Sequence, residues 1–404
     1  MTITKKNIVT ITILILLICF FRTSEINGTI LSSSARISLM TCSPGTAIYS
    51  IFGHSAIWVH DPLQNIDLVF NYGTFDFNTP NFYLKFIKGK LNYQLSVTDY
   101  PYFELNYVSL NRSIFQQVLY ISQEDKQTLF NYLLINYLPE NRYYRYDFFF
   151  DNCATRIRDI IEKALQNKIE FDYSKYNTDK SFRELLKPYI KDNKWLDLGI
   201  NLLLGLPGDR TAKPYEYMLI PDYIQEIFAE VKLKSGEEIT PLVDKTQIIF
   251  EASKNVKEKN ILFSPTLVFW LLFIVISLIT YFDFRKNRLS YWIDIPFFII
   301  IGLLGLLLSF QWFATEHTVM GNNLNLIWAI PFHFPISFFL FRKRKTKLIS
   351  YYFLVSGIIS ALLILTWVII PQKLHISLIP VVLTLAIRGL NIYLYESKSI
   401  IYKK

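Results

Sequence analysis

The sequence predicts an exported α+β domain followed by an all-α membrane region of five helices. Three observations support this fold class: a basic start with a short apolar run, a middle part that changes from alternating to helical patterns, and five long apolar segments. The chain has 404 residues and is 51% hydrophobic, which leaves room for one soluble domain beside the membrane part. The predicted boundaries are 1–25 for a signal peptide or signal anchor, 30–250 for the exported domain and 260–396 for the transmembrane region.

The N-terminal segment has the features of a secretory signal. Lys5 and Lys6 precede an apolar run over 8–21, which is short for a membrane-spanning helix. No clean small-residue cleavage site follows, so removal of the segment and its retention as an anchor both stay open. Cys19 follows Ile18 rather than a small residue, which argues against lipidation at that cysteine. In either case the domain that follows is exported.

The exported domain divides into a strand-rich half and a helical half. Alternating apolar and polar residues predict strands at 36–41, 56–59, 66–71 and 91–97. Ser122 and Asp125 form a capping pattern that opens a helix running to Leu138. A second helix is predicted from Cys153 to Leu165, because apolar residues recur there at helical spacing.

The membrane region is predicted from five apolar segments, at 262–282, 293–313, 324–341, 350–370 and 376–395. Basic clusters follow the first, third and fifth segments, which places those ends in the cytoplasm and the exported domain outside. Pro331 and Pro335 interrupt the third segment, and Arg388 lies within the fifth, either snorkelling or paired. Because these clusters carry much of the net charge of +9, nucleic-acid binding is not predicted.

Cys153 and His54 are the candidate catalytic pair. A cysteine at a helix N-terminus gains a lowered pKa from the backbone amides, and an imidazole completes its activation. Asn152 is a further candidate, although it and Asp151 also suit helix capping. In an exported domain, a disulfide between Cys42 and Cys153 is an alternative that would remove the nucleophile.

Other candidates surround this pair. Asn71 is expected to orient His54, because a strand returning from the hairpin near 61–65 brings it alongside. Arg156 is a candidate to anchor an anionic head group, since a cation on the first helical turn opposes the helix dipole. His317, in a polar loop at the bilayer edge, is a candidate to receive substrate from the membrane. Ser55 leaves space beside His54 and is a candidate substrate-binding residue.

Neither a metal site nor a cofactor is predicted. The histidines and cysteines show no paired ligand spacing, and no glycine-rich phosphate loop is present.

Several motifs together resemble one protein family. They are Thr41-Cys42-Ser43-Pro44-Gly45, Tyr49 with Phe52-Gly53-His54-Ser55-Ala56, Asn71-Tyr72-Gly73 and Phe150-Asp151-Asn152-Cys153-Ala154-Thr155-Arg156. These residues resemble the exported domain of the Lnb-type bacterial lipoprotein N-acyltransferases. The resemblance covers about residues 30–250, and the tail with His317 and Asn325-Leu326-Ile327-Trp328 is similar too.

The resemblance implies a fold, a reaction and a location. The His-before-Cys order is similar to permuted papain-like folds, which implies Cys153 as nucleophile, His54 as general base and Tyr49 near the substrate. The implied reaction moves an acyl chain from a membrane phospholipid, through a Cys153 thioester, to the α-amino group of a diacylated lipoprotein. The implied location is the bacterial inner membrane, with the catalytic domain on the periplasmic side.

Two alternatives stay open at the level of sequence. The same Cys–His pair would serve a membrane-tethered cysteine peptidase or amidase acting on cell-wall peptide. A non-catalytic membrane receptor or assembly factor would need neither side chain. The acyl donor, its chain length and the role of Cys42 do not follow from the sequence.

Overall fold

The computed structural model describes residues 28–176, 179–253, 263–342 and 346–401. The predicted signal segment 1–25 and Cys19 lie outside these residues. The chain forms two compact units, each described by itself. The first comprises the chain up to Phe77, Asn92–Tyr176 and Met218–Ser253, and the second comprises Asn78–Leu91, Asn177–Tyr217 and Lys254–Lys404.

The described elements follow in chain order. The strands are β1 (Arg36–Cys42), β2 (His54–Asp61), β3 (Ile66–Thr74), β4 (Asn92–Asp99), β5 (Ile114–Leu119), β6 (Tyr143–Arg145), β7 (Ile169–Glu170), β8 (Lys232–Ser235), β9 (Glu238–Pro241) and β10 (Val243–Phe250). The helices are α1 (Phe82–Ile87), α2 (Tyr100–Ser109), α3 (Gln123–Tyr137), α4 (Cys153–Leu165), α5 (Phe182–Ile190), α6 (Lys194–Leu203), α7 (Pro214–Tyr217), α8 (Pro221–Phe228), α9 (Pro265–Arg285), α10 (Tyr291–Phe313), α11 (His333–Ser337), α12 (Lys347–Leu365) and α13 (Ile379–Ile401).

A seven-stranded antiparallel sheet is the centre of the first unit. Its strand order is β10-β5-β1-β2-β3-β4-β6, and a small sheet of β7, β8 and β9 lies apart from it. The register of β1 and β2 places Cys42 opposite His54. The central strands therefore bring one end of β1 and the start of β2 together, and the candidate histidine lies there.

Helices cover this sheet and bury its apolar side chains. Phe103 and Tyr107 of α2 pack on Met40, Ala56 and Val69 of the sheet. Helix α4 packs on β2 and β3, and α3 packs alongside it. Full burial of such a side chain contributes about 1.5–3 kcal/mol. This packing fixes the first turn of α4 against the sheet and confirms the predicted α+β architecture.

The second unit is helical and membrane-like. Among the described residues, four helices are long and apolar enough to cross a membrane: Pro265–Arg285, Tyr291–Phe313, Lys347–Leu365 and Ile376–Lys398. The predicted helical membrane region is thus confirmed, but the prediction of five spans is wrong.

The predicted third span, 324–341, is broken into short pieces. It consists of a 3-10 turn at Leu324–Ile327, the five-residue helix α11 and another 3-10 turn at Phe338–Phe341. Pro331 and Pro335 lack a backbone N–H, so a continuous helix cannot keep its hydrogen-bond ladder there. Hydropathy alone therefore overestimates the length of this element.

Two segments from the predicted range 30–250 belong to the second unit, where loops between the membrane helices hold them. Asn323 donates to the Leu202 carbonyl at 2.7 Å, and Lys373 pairs with Glu184 at 2.7 Å. The Gly205 amide donates to the Val319 carbonyl at 2.9 Å. Segment 177–217 is thus joined to these loops by backbone and side-chain bonds.

Candidate functional site

Asn152 closes the N-terminus of α4. Its side-chain oxygen accepts from the amides of Ala154 and Thr155, and the Thr155 hydroxyl accepts from the Asn152 amide. The Asn152 side-chain NH₂ donates to the carbonyls of Phe148 and Leu219, each at 2.7 Å. All polar atoms of this buried side chain are therefore used in capping and anchoring. They give Cys153 a fixed position as the first residue of the helix.

The Cys153 sulfur meets the start of β2. The nearby backbone amide of Ser55 lowers the pKa of this thiol in part. A Cβ added at Gly73, whose φ is +85°, would lie 3.4 Å from the Cys153 Cβ. Glycine at 73 therefore permits the close approach of β3 to the thiol. Because Ser55 directly follows His54, the structure brings Cys153 and the His54 segment together.

His54 is held by Asn71 on the neighbouring strand. Their Nε2 and Oδ1 atoms are 3.3 Å apart, while the Asn71 NH₂ donates to Val69 and Thr98. With its NH₂ committed to two acceptors, Asn71 presents its oxygen to the imidazole, which assigns the proton to Nε2. The His54 Nδ1 then carries the lone pair of a base. The structure thus brings Asn71 and His54 together.

The resting pair is uncharged. Burial, and after it the positive charge of Arg112, lowers the pKa of His54 to about 4, while the Asn71 hydrogen bond raises it only in part. Burial raises the pKa of the Cys153 thiol above its ordinary value, against smaller lowering effects of nearby amides and Arg112. The lowering expected from the helix N-terminus is present but is outweighed by desolvation.

Cys42 is a buried thiol on β1. Both Cys42 and Cys153 are free, so the alternative of a disulfide does not hold in the structure. Burial raises the pKa of Cys42 far above its ordinary value, and the charge of Arg112 and then the nearby Tyr107 hydroxyl lower it only in part. Cys42 is therefore a packed, protonated thiol beside His54 in the sheet.

Arg112 is a residue of the site that the sequence does not predict. It is 7% exposed, its Nε donates to the Ser43 carbonyl at 2.7 Å, and its guanidinium lies 4.7 Å from the centre of the Tyr107 ring. Its Nη2 has no hydrogen-bond partner among the described residues. Its charge lowers the pKa values of His54, Cys42 and Cys153. No local pattern around Arg112 in the sequence signals this position, because its partner Ser43 lies 69 residues away.

Tyr144 on β6 is a second residue of the site that the sequence does not predict. It is 8% exposed, and its hydroxyl makes no hydrogen bond of acceptable geometry with any described residue. A Cβ at Gly73 would lie 3.9 Å from this hydroxyl and 3.4 Å from the Cys153 Cβ. Burial, and after it the nearby Cys153, raises the pKa of Tyr144 well above its ordinary value. A neutral phenol O–H thus lies close to the candidate nucleophile.

Comparison with protein families identifies the chain at this point. The model described as the Lnb N-terminal periplasmic domain matches residues 22–187, and the Lnb transmembrane domain matches residues 257–400. The chain belongs to the Lnb family. It is therefore a membrane protein with a periplasmic domain. No curated protein and no solved structure matches it.

In this Lnb-family chain, Arg156 is already paired. Its guanidinium binds both carboxylate oxygens of Asp151 and lies 3.9 Å from the centre of the Tyr144 ring. Asp151 binds Arg156, and Asn152 is the residue that caps the helix. The geometry gives Arg156 a role in fixing Tyr144 and the first turn of α4, and its predicted binding of a head group stays a prediction.

The remaining predicted residues of the Lnb-family chain lie in different surroundings. Ser55 is buried next to Cys153, and its hydroxyl has no partner among the described residues. Tyr49 is 74% exposed and touches Phe75 edge to face. His317 belongs to the second unit, where its Nε2 lies 3.3 Å from the Phe86 carbonyl. Among the described residues, no group of three or more His, Cys, Asp or Glu is placed to hold a metal ion.

Proposed function

We propose that this protein is a lipoprotein N-acyltransferase that uses Cys153 as its nucleophile. The observation that carries the proposal is the Cys153 thiol at the start of α4, near the amide of Ser55, which directly follows an Asn71-oriented His54. Membership of the Lnb family and four membrane-spanning helices support a substrate that resides in a bilayer.

The first half-reaction forms a thioester. His54 Nδ1 takes the Cys153 proton as the thiolate attacks the ester carbonyl carbon of a phospholipid. The tetrahedral intermediate collapses, the carbon–oxygen bond to the glycerol breaks, and the departing alkoxide receives the proton from His54. A lysophospholipid leaves, and the acyl chain remains on the sulfur.

Arg112 and Tyr144 support the charges that develop in this step. The fixed positive charge of Arg112 favours the thiolate over the thiol, which matters because burial raises the thiol pKa. The Tyr144 hydroxyl and the Cys153 backbone amide would donate to the oxyanion of the tetrahedral intermediate. Such donors gain strength in a site of low dielectric constant.

The second half-reaction transfers the chain to the lipoprotein. The α-amino group of a diacylglyceryl cysteine attacks the thioester carbonyl carbon and passes one proton to His54. The carbon–sulfur bond breaks, and the leaving thiolate recovers its proton from the imidazolium. Both substrates are anchored in one leaflet, so a membrane-bound enzyme meets them at a high effective concentration.

The proposal extends to the fold and the compartment. A cysteine leading a helix that packs on a sheet carrying histidine and asparagine supports a permuted papain-like domain. A periplasmic domain joined to spanning helices supports residence in the inner membrane. A cysteine peptidase or amidase would use the same dyad, but its soluble peptide substrate gives no reason for several spans.

The decisive experiment traps the intermediate and reads the product. Purified protein in phospholipid nanodiscs without acceptor should gain one acyl chain on the peptide containing Cys153, which hydroxylamine releases. With a diacylated lipopeptide added, the α-amino group should become acylated, as measured by mass spectrometry. The Cys153→Ala variant should do neither.

Cys42→Ser is the matched control, because it removes a thiol that stays protonated in the structure. It should keep thioester formation if it folds. Release of cell-wall peptide fragments without any acylated cysteine would instead identify a peptidase. Full biological function in a variant lacking both Cys153 and His54 would identify a non-catalytic role.

A further inference from the structure

Segment 82–90, which comprises α1 and the following Lys88-Gly89-Lys90, presents an unusual surface within the second unit. Tyr83 is 74% exposed, and Leu84 and Phe86 are each 52% exposed. Helix α1 has no buried residue at all. Only the face with Phe82 and Lys85 is half-buried, and the other apolar side chains of this short helix are exposed. Such a patch indicates an interaction surface.

Hydrogen bonds fix this segment at the end of a membrane-spanning helix. Helix α10 ends at Phe313, and the amide of Glu316, three residues later, donates to the Lys88 carbonyl at 3.0 Å. The His317 Nε2 lies 3.3 Å from the Phe86 carbonyl, and Glu316 pairs with Lys90 at 3.4 Å. Segment 82–90 is therefore attached to the end of a helix that is long and apolar enough to cross a membrane.

The side chains at this end of the helix match the chemistry of a bilayer interface. Trp312 and Phe313 stack at the end of α10, and aromatic rings are enriched where spans meet the head groups. Lys85 and Lys88 are half-buried, and among the described residues only Lys90 of this segment forms an ion pair. Lysines among exposed aromatic residues are complementary to phosphate groups above an apolar layer.

We propose that segment 82–90 inserts into the outer interface of the bilayer and binds phospholipid. Its apolar side chains contact the upper parts of acyl chains, and Lys85 and Lys88 contact lipid phosphates. The site is distinct from the Cys153 chemistry and does not depend on it. It gives the protein a contact with lipid molecules besides the surfaces of its spanning helices.

The test measures the depth of Leu84 in the full-length protein. Leu84→Cys, in a background with Cys19, Cys42 and Cys153 replaced by Ser, is labelled with an environment-sensitive fluorophore and placed in nanodiscs. Lipids that carry a nitroxide near the head of the acyl chain should quench it about as strongly as the same label at Phe313→Cys. Aqueous iodide should quench it several-fold less than the free dye.

Charge reversal then tests the lysines. In the labelled protein, Lys85→Glu with Lys88→Glu should reduce nitroxide quenching more in anionic than in zwitterionic nanodiscs. Phe86→Ser should reduce it in both. Because Cys153 is absent throughout, the result does not depend on the acyltransferase proposal.

Two outcomes would overturn the inference. Free access of iodide to the label at Leu84, without nitroxide quenching, would place the segment in water. Protection that arises only when a lipopeptide is added would assign the surface to the lipoprotein acceptor instead of the bilayer. A second labelled site, Tyr83→Cys, guards against an effect limited to one position.

Discussion

Arg388 and Arg112 are two of the buried arginines, one from each unit, and their surroundings differ. Arg388 binds Asp294 at 2.6 and 2.7 Å and Asp283 at 3.1 Å, so all three of its nitrogens donate to carboxylates. Arg112 is nearly as buried, but no carboxylate among the described residues pairs with it, and its Nη2 has no partner there. The charge of Arg388 is neutralised by carboxylates and stabilises the fold. The charge of Arg112 is not neutralised and lowers the pKa values of the side chains around it.

Arg112 is one of several buried polar groups in the candidate site that lack a hydrogen-bond partner among the described residues. A buried polar atom without a partner costs free energy, so native proteins keep few of them. The Thr41 and Ser55 hydroxyls, which are cross-strand partners, share this condition with Arg112 and Tyr144. Other unsatisfied atoms lie in the membrane unit, but the Ser55 and Tyr144 hydroxyls adjoin Cys153. Under the proposed function, these two hydroxyls are free to meet the carbonyl of the substrate ester.

The largest expected effect is on stability, at Arg388. Replacing Arg388 with Met leaves Asp294 buried without its cation and leaves Asp283 only the longer ion pair with Arg288 at 3.4 Å. This should cost about 3–5 kcal/mol of unfolding free energy. Thermal or denaturant unfolding in detergent measures this loss. Adding Asp283→Asn and Asp294→Asn should restore most of it, and an unchanged single variant would contradict the comparison.

The Arg112→Met variant should keep its fold but lose activity. Because the guanidinium favours the thiolate, kcat/KM for acyl transfer should fall on the order of 100-fold. The lost bond to Ser43 should cost only about 1 kcal/mol of stability. Arg112→Lys retains the charge and should retain more activity. Loss of stability with an unchanged rate would place Arg112 in the same class as Arg388.

Tyr144→Phe separates catalysis from packing more finely. The hydroxyl lies near the Gly73 backbone but has no hydrogen-bond partner among the described residues, so its removal should leave the unfolding temperature unchanged or slightly raised. The kcat should fall about 10- to 100-fold at constant KM, because the Cys153 amide still donates to the oxyanion. Tyr72→Phe, an adjacent buried tyrosine, is the matched control. Equal rates in the two variants would exclude an oxyanion role.

The smallest expected effect is a shift in pH dependence. His54 must be neutral to act as the base, and its pKa is lowered to about 4. The value of kcat/KM should therefore stay level as the pH falls to about 5 and decline only at lower pH. Without Arg112, protonation of His54 becomes easier and this acid limb should move to higher pH. A pH–rate profile with a short-chain ester measures both. An acid limb near the ordinary pKa of histidine would show that the imidazole is hydrated.

Local signals in the sequence predict local structure well. Helix α4 begins at Cys153 and ends at Leu165 as predicted, because Asn152 caps it and its apolar stripe is continuous. The Ser122 cap of α3 and the first four strands follow from similarly local patterns. The contact between His54 and Asn71 required only the register of one hairpin, which the turn near 61–65 indicates.

Contacts between residues that are far apart in the chain could not be predicted from the sequence. Arg112 contacts Ser43 across 69 residues, and nothing near Arg112 in the chain indicates that partner. Tyr144 reaches Cys153 only because β6 pairs at the edge of the sheet beyond β4. Hydropathy counted 324–341 as a span, although two prolines prevent a continuous helix. The pairing of Arg388 with both aspartates likewise needed three helices to meet.

The bonds between segment 177–217 and the loops of the membrane unit have a practical consequence for recombinant production. A secreted version that ends at residue 253 would lack Lys373 and His375, which pair with Glu184 and Asp197. It would also lack the residues that form hydrogen bonds with the backbone of 202–205. Such a truncated protein should aggregate. Crystallisation or assay of the periplasmic part therefore calls for the whole chain in a lipid or detergent mimic.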